Sequence, residues 1–287
     1  MLNFKELKDV DLKLYLLSGG SIRVENLIVE PYKLHEIRDY GYTKYMENLQ
    51  WMSLSIDDFI DSIKDEGKKK VLIEQRANLK TFDFYISIGG KEFLDVLMTA
   101  LAMVFKTDDV RILDDNVIVL NFKKQGIVIE DEKGRVSINP DKLEVLREEE
   151  ILAIHRDNFD DVIEVVKFQN YLTKVATKKD EGNPVDEETR ALMEHMEKMR
   201  QKVEAKKKRQ REMESEDDGD IDISDIISAV SSKSNSINKL NIWELTLYQL
   251  YDEYARLELV DNYEFSIKAM MAGAKDVKLK HWSSKIL

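Results

Sequence analysis

The chain has 287 residues, of which 43% are hydrophobic and 35% charged, and its formal net charge is −12. This length allows one substantial core, or one core with a smaller module, because domains cluster near roughly 100–150 residues. The acidic balance argues against a coat of nucleic acid, which needs clustered lysine and arginine. The absence of cysteine excludes disulfides, cysteine-ligated zinc and thiol catalysis.

The sequence predicts neither export nor membrane insertion. Charges are scattered through residues 1–17, so an uninterrupted apolar signal-peptide region is missing. No window approaches the ~18–20 consecutive apolar residues of a spanning helix. We therefore expect a soluble cytoplasmic protein.

The first predicted elements are a hairpin followed by two helices. Apolar runs on both sides of Gly19-Gly20 predict a β-hairpin or a pair of short strands over residues 12–30, because glycine supplies the positive φ of a tight turn. After Pro31, apolar residues recur at helical spacings and Gly41 interrupts them. We therefore expect two short helices there.

The middle of the chain predicts two core helices around a small sheet. The first helix has apolar residues at every fourth position: Phe93, Leu97, Leu101 and Phe105. Short β-branched runs over 110–138, separated by turn residues, predict a small antiparallel sheet. Asn158 then caps a second helix, and the first folded block should close near Leu172. The face of that helix continues through Val162, Val165, Val166 and Gln169.

The next segment changes in character. Residues 178–222 form a polyampholyte that cannot bury a core of its own. Its middle, 186–213, favours a solvated helix. The composition of SSKSNSIN at 231–238 is that of a flexible linker. We expect a charged helical arm and linker over 173–240.

Residues 241–287 are again apolar and aromatic. Asn241 is the predicted N-cap of a first helix, and a second helix is expected from Asn262 to Ala272, stopping at Gly273. Apolar residues of the first helix step by four, three, four and three: Trp243, Leu247, Leu250, Tyr254 and Leu257. So wide an apolar arc needs a cover, and both residues 1–172 and a partner protein are open alternatives.

These elements predict an α+β fold dominated by helices. Its parts are a core domain with small antiparallel β-hairpins at 1–172, the charged helical arm and linker at 173–240, and a small all-α module at 241–287.

No motif assembles a catalytic or metal site. Residues 89–91, Gly-Gly-Lys, are nearest to a phosphate loop, but Tyr85 and Glu92 stand where a Walker loop needs glycine and a hydroxyl residue. The histidines lack the spacing of metal ligands, and 217–222 lacks the glutamate that completes a calcium loop. We expect no enzymatic activity, no cofactor and no metal.

Two basic stretches keep nucleic-acid binding as the alternative function. Lys206–Arg211 is more often the solvated face of a helix. Lys275–Lys285 interleaves lysine with Trp282, as single-strand binders do, although Trp282 also suits an interface anchor.

Several motifs, taken in order, resemble a known family. They are EPYKLHEI at 30–37, Gly-Tyr-x-x-Tyr at 41–45, Asn-Phe-Asp at 158–160 and WELTLYQLY at 243–251. The layout resembles proteins from the tail modules of bacteriophages of Gram-positive hosts. Such proteins look like tail or baseplate assembly factors, including the tail assembly chaperones that escort the tape-measure protein.

The resemblance implies a non-enzymatic, protein-binding role. Tape-measure, tube or baseplate proteins are the expected partners, with self-association as a further option, and the host cytoplasm or the virion is the expected place. Membrane and nucleic-acid partners are not expected. The anchors expected for a partner are Trp243, Leu247, Leu250, Tyr254, Leu257 and Trp282.

Overall fold

The fold is α+β and dominated by helices, which confirms the predicted class. The computed structural model describes residues 2–54, 56, 60, 66–88, 90–113, 117–121, 128–130, 136–138, 152–173, 221–275 and 277–286. The helices of these residues are α1 (Asp9–Ser18), α2 (Leu34–Tyr40), α3 (Tyr42–Met52), α4 (Glu66–Gln75), α5 (Thr81–Asp83, continuing as a π-helical segment over Phe84–Ile88), α6 (Gly90–Val104), α7 (Phe159–Gln169), α8 (Ile223–Lys233) and α9 (Leu247–Met271).

The described strands form three small antiparallel sheets. β1 (Ile22–Val24) pairs with β2 (Leu27–Val29), and β5 (Val128–Glu130) pairs with β6 (Val136–Ile138). The third sheet has the order β3-β4-β7, built from β3 (Val110–Leu113), β4 (Val117–Leu120) and β7 (Ala153–Ile154). The antiparallel pairing expected over 110–138 is confirmed, but its strands are divided between two sheets. The sequence did not predict β7, because two residues are too few to show an alternating pattern.

The prediction of a hairpin or strand pair over 12–30 is wrong for its first half. Residues 9–18 form α1, which ends at Gly19 in the left-handed region, with φ 66°. The Gly19 N–H donates to the carbonyl of Leu16 at 3.1 Å. The hairpin lies further on, with its turn at Glu25-Asn26. Because α1 carries leucine on its buried and exposed faces alike, no helical period stands out in its sequence.

The two helices expected after Pro31 are confirmed as α2 and α3, separated at Gly41, where φ is 97°. The core helix over 91–106 is confirmed as α6, and its Leu97 and Leu101 are fully buried.

Asn158 occupies the predicted N-cap position of α7, but its side chain makes no capping hydrogen bond and binds other groups instead. Its Oδ1 accepts from the His155 N–H at 2.9 Å. Its Nδ2 donates to Glu25 Oε2 and to the Ala153 carbonyl, both at 3.0 Å. Asn158 therefore ties the β1–β2 turn to β7 at the start of α7. The predicted inner face of that helix, Val162, Val165, Val166 and Gln169, is buried.

The segment expected to be a flexible linker has a defined conformation, so that interpretation of 231–238 is wrong. Its first residues complete α8, and Ser234 Oγ then donates to Glu253 Oε1 at 3.0 Å. Asn238 Oδ1 accepts from the Leu240 N–H at 2.9 Å. Serine and asparagine are cap and turn formers as well as linker residues, and composition does not separate these roles. Residues 174–220, most of the predicted charged arm, lie outside the described residues.

The C-terminal module has one long helix where two were expected. Thr246, not Asn241, caps it: Thr246 Oγ1 accepts from the Gln249 N–H at 3.3 Å, and Gln249 Oε1 accepts from the Thr246 N–H at 2.9 Å. This reciprocal capping box fixes the start of α9. The helix continues through Asn262 and ends before Gly273, where φ is 92°, so the predicted stop is confirmed.

A single hydrophobic cluster unites both ends of the chain. It contains buried residues of α1, the β1–β2 hairpin, α2, α3, α6 and α7 together with Ile242, Leu247 and Leu250. The sequence left two possible covers for the apolar face of this helix. In the structure, the core of the first block covers the first half of α9. The boundaries 1–172, 173–240 and 241–287 remain predictions.

If α9 belongs to this core, Leu250→Ala should lower the free energy of unfolding by about 2–5 kcal/mol, because it leaves a cavity at a fully buried site. Urea unfolding followed by circular dichroism measures the change. Leu240→Ala is the matched control, since Leu240 is 91% exposed, and we expect it to stay within ~0.5 kcal/mol of the original chain. An equally small effect of Leu250→Ala would contradict the shared core.

Candidate functional site

The start of the C-terminal module is fixed by main-chain contacts at the start of α2 and by one side-chain contact with α1. The Leu34 N–H donates to the Leu245 carbonyl at 2.8 Å, and Lys33 forms an antiparallel bridge with Thr246. The Gln249 side chain donates from Nε2 to the Leu17 carbonyl at 2.8 Å. The contacts at α2 join backbone groups, so they hold the start of α9 in one position on the first block.

Three tyrosines close the contact on the other side. Tyr171 has φ 60°, a costly conformation for a bulky residue. Its ring stacks on Tyr251 at 5.4 Å between centroids and meets the Tyr248 ring edge-on at 5.5 Å. Burial raises the pKa of Tyr248 and that of Tyr251 from the ordinary 10.0 to about 12. The aromatic contacts hold Tyr171 in its left-handed conformation.

The predicted anchors divide between the core and the surface. Leu247 and Leu250 are buried in the core, so in this fold their side chains position α9 and are not available to a partner. Trp243 is half-buried: its Nε1 donates to the Lys239 carbonyl at 3.1 Å, and the Arg38 guanidinium lies 5.2 Å from the ring centroid.

Tyr254 and Leu257 are partly buried against the same cluster. Trp282 is 49% exposed. It is therefore the predicted anchor with the most surface available to a partner.

The last three turns of α9 leave the core. No residue from Val260 to Met271 is buried, and Phe265 and Met271 are 73% and 84% exposed. Phe265 lies two residues from Tyr263, and at 100° per residue their side chains point to opposite sides of the helix. This exposed end of α9, Val260–Met271, therefore presents apolar surface on more than one side.

The C-terminal segment folds back along the exposed end of α9. Arg256 Nη1 donates to the carbonyls of Trp282 and Ser284 at 2.8 and 2.9 Å. The His281 ring lies 5.3 Å from Tyr263 and 5.4 Å from Trp282, measured between centroids. The lysines of this region are Lys268, Lys275, Lys278, Lys280 and Lys285. The C-terminal segment is therefore basic and aromatic, although the chain as a whole has a net charge of −12.

The sequence analysis missed an exposed residue at the end of α9 and an exposed apolar face on α1. Met271 lay within a predicted helix but was not proposed as an anchor. On α1, the side chains of Val10, Leu14 and Leu17 are all exposed at i, i+4 and i+7. That spacing was the available signal for a second apolar face, but the strand prediction for 12–18 concealed it.

In the part of the chain that the structure describes, no group of three or more His, Asp or Glu side chains is placed to hold a metal ion. No helix of these residues has the length and apolar character to cross a bilayer. Gly89 of the glycine pair nearest to a phosphate loop and the first basic stretch, Lys206–Arg211, lie outside the described residues.

The molecule is thus a helix-dominated α+β protein whose C-terminal helix leaves the core with apolar surface exposed. Its C-terminal residues 206–287 match the family model described as YomV second domain, a phage-derived family from the SPbeta region of a Bacillus phage. That part of the chain is therefore similar to a phage-associated domain. The match does not specify a tail or baseplate component. No curated protein and no solved structure shows a significant match to the chain.

The tyrosine contact predicts a loss of stability at alkaline pH. The pKa of Tyr248 is about 12 in the fold against an ordinary value of 10.0, so its contribution is complete below pH 10 and is lost as the pH rises toward 12. Tyr248→Phe cannot ionise, and its unfolding free energy should fall less between pH 9 and pH 11.5. Urea midpoints at both pH values measure this, with Tyr263→Phe, outside the cluster, as control. Equal losses in the Tyr248→Phe variant and the original chain would refute the assignment.

Proposed function

We propose that this protein is a non-enzymatic phage assembly factor that binds another tail protein through the exposed end of α9. The observation that carries the proposal is that the last three turns of α9 contain no buried residue while Phe265 and Met271 are 73% and 84% exposed. Contiguous exposed apolar surface marks protein-interaction sites, and we propose that these side chains belong to such a surface. The phage-derived match over 206–287 includes this helix and supports the proposal.

The geometry favours a partner that encloses the helix. Because Phe265 and Met271 project from different sides, a flat surface would cover only one of them. A deep groove or a bundle of partner helices would cover both. Trp282, which is 49% exposed, lies in the segment that folds back along this helix. The exposed lysines close to it in sequence, Lys275, Lys278 and Lys280, would supply the polar rim of an interface.

The roles of the predicted anchors change accordingly. Trp282 remains a contact residue, and Phe265 and Met271 join it. Leu247 and Leu250 hold the first half of α9 in the core. Buried positioning residues and exposed contact residues on one continuous helix mean that the free end needs little further ordering when it binds.

The resemblance to tail-module proteins supplies the class of partner. We propose a tape-measure, tube or baseplate protein, bound in the host cytoplasm during assembly and with incorporation into the virion as an option. Self-association is the further option. The proposal rests on binding surfaces alone and includes no enzymatic activity.

Single-stranded nucleic acid is the second candidate ligand, favoured by one observation. The rings of Tyr263, His281 and Trp282 follow one another at 5.3 and 5.4 Å, and Lys278 and Lys280 closely precede His281 and Trp282 in the sequence. Aromatic faces among lysines can stack bases and contact phosphates. Salt separates the two candidates: nucleic-acid binding falls steeply with salt, whereas an apolar docking contact does not.

Co-expression with tagged tape-measure, tube and baseplate proteins of a phage of a Gram-positive host tests the proposal. Phe265→Ala with Met271→Ala should weaken the recovered complex at least roughly tenfold in Kd, because central apolar anchors dominate such interfaces. The control is Leu240→Ala with Ile221→Ala, which removes apolar side chains 91% and 67% exposed elsewhere.

Both double variants should keep the thermal stability of the original chain, since neither touches the core. Recovery of no tail protein, or equal recovery with the Phe265 and Met271 variant, would contradict the proposal. Release of bound nucleic acid by salt would favour the second candidate.

A further inference from the structure

The β1–β2 hairpin has one open edge, and its register shows which backbone groups face outward. Val24 pairs with Leu27 across a two-residue turn, and Ile22 pairs with Val29. Within each of these two pairs, the two residues are hydrogen-bonded to each other, because bonded and non-bonded pairs alternate in an antiparallel ladder. Ile28 belongs to the intervening pair, so its N–H and C=O point away from β1.

The two edges of the hairpin are not equivalent. On the β1 side, Asn3 forms a parallel bridge with Arg23, so the N-terminal segment covers that edge. On the β2 side, the described residues offer no hydrogen-bond partner to the backbone of Ile28. The Ile28 side chain is also 52% exposed. An unpaired strand edge of this kind can accept another extended chain.

A cleft of about 270 Å³ lies beside this open edge. Asn26, Leu27, Ile28 and Glu30 form one wall. The opposite wall and floor come from three other parts of the chain: Val104, Phe105 and Lys106 at the end of α6, Leu120 and Asn121 at the end of β4, and Leu152. The cleft is below the roughly 300–1,000 Å³ of pockets for drug-sized ligands. The lining is mixed, with six apolar residues and four polar or charged ones. Its size and its apolar residues suit one or two side chains of a polypeptide.

The charge at the mouth of the cleft is acidic. Lys106 Nζ is engaged by Glu36 Oε1 at 2.6 Å and lies 4.6 Å from the Tyr32 ring centroid. Its distance to Glu30 Oε2 is 3.9 Å. The Glu30 side chain is 60% exposed and can still accept from a ligand. A lysine or arginine beside the bound apolar residue would complement it.

We propose that this cleft, the β2 cleft, binds an extended segment of a partner polypeptide, which adds a strand to the open edge of β2. The Ile28 N–H and C=O would pair with its backbone, an apolar side chain would enter the cleft, and a neighbouring lysine or arginine would contact Glu30. Strand addition takes its affinity from main-chain bonds and its specificity from alternate side chains.

Two other occupants fit the observations less well. A helix has no free main-chain groups to pair with Ile28. A second copy of this chain would bring its own β2 edge and acidic Glu30, and each copy has a net charge of −12, so like charges would oppose the approach. The proposal concerns a surface other than the exposed end of α9 and does not rest on the proposed function.

A library of random ten-residue peptides displayed on yeast, sorted against the full-length chain, tests the proposal. Ile28→Pro removes the outward N–H without removing a β1–β2 bond, and proline is tolerated at strand edges. Ile28→Thr is the matched control because it keeps the N–H. We expect selected peptides with alternating apolar residues and an excess of lysine and arginine, bound by Ile28→Thr and at least tenfold more weakly by Ile28→Pro.

Hydrogen exchange supplies the second measurement and does not depend on the variants folding. A synthetic copy of a selected peptide should slow exchange of the Ile28 amide at least tenfold, and methylation of alternate peptide nitrogens should abolish this protection. Failure to enrich any peptide, or binding that survives nitrogen methylation, would overturn the proposal. Protection of Ile28 in a concentration-dependent dimer without peptide would overturn it in favour of self-pairing.

Discussion

The fold depends on the burial of the first half of α9 against α1 and α7. Leu247 and Leu250 lie in the same hydrophobic cluster as the N-terminal hairpin and α6, although more than 200 residues of sequence separate the two ends of the chain. Each leucine buried in this way contributes roughly 1.5–3 kcal/mol. The main-chain bonds of Leu245 and Thr246 then fix the register of the helix, so the C-terminal module completes the core of the first block.

That arrangement explains how one helix can both complete the core and carry the proposed contact surface. Its first half is locked by leucine packing and by the rings of Tyr171 and Tyr251, and its last three turns extend beyond Leu259 with no buried side chain. Because the helix is continuous, the rigid half determines the direction of the free half. An apolar end such as Phe265 is therefore held in position.

The sequence predicted those elements whose packing has one clear period. The four-residue spacing of α6 and the valine face of α7 identified both helices, since each buries a single face. It failed at α1, where both faces carry leucine, and at Asn238, whose residue type suits linkers and turns equally. For the candidate site, it identified the aromatic module but could not tell buried Leu250 from exposed Phe265, because that depends on contacts with distant residues.

Native-state hydrogen exchange tests the central claim most directly, because it gives a separate opening free energy for each helix. If the first half of α9 completes the core, amides of Leu250–Leu259 should exchange with the same free energy as those of Val162–Phe168 in α7, and with equal denaturant dependence. Exchange of the α9 amides through a smaller opening, while α7 stays protected, would show that the C-terminal module docks on a core that folds without it.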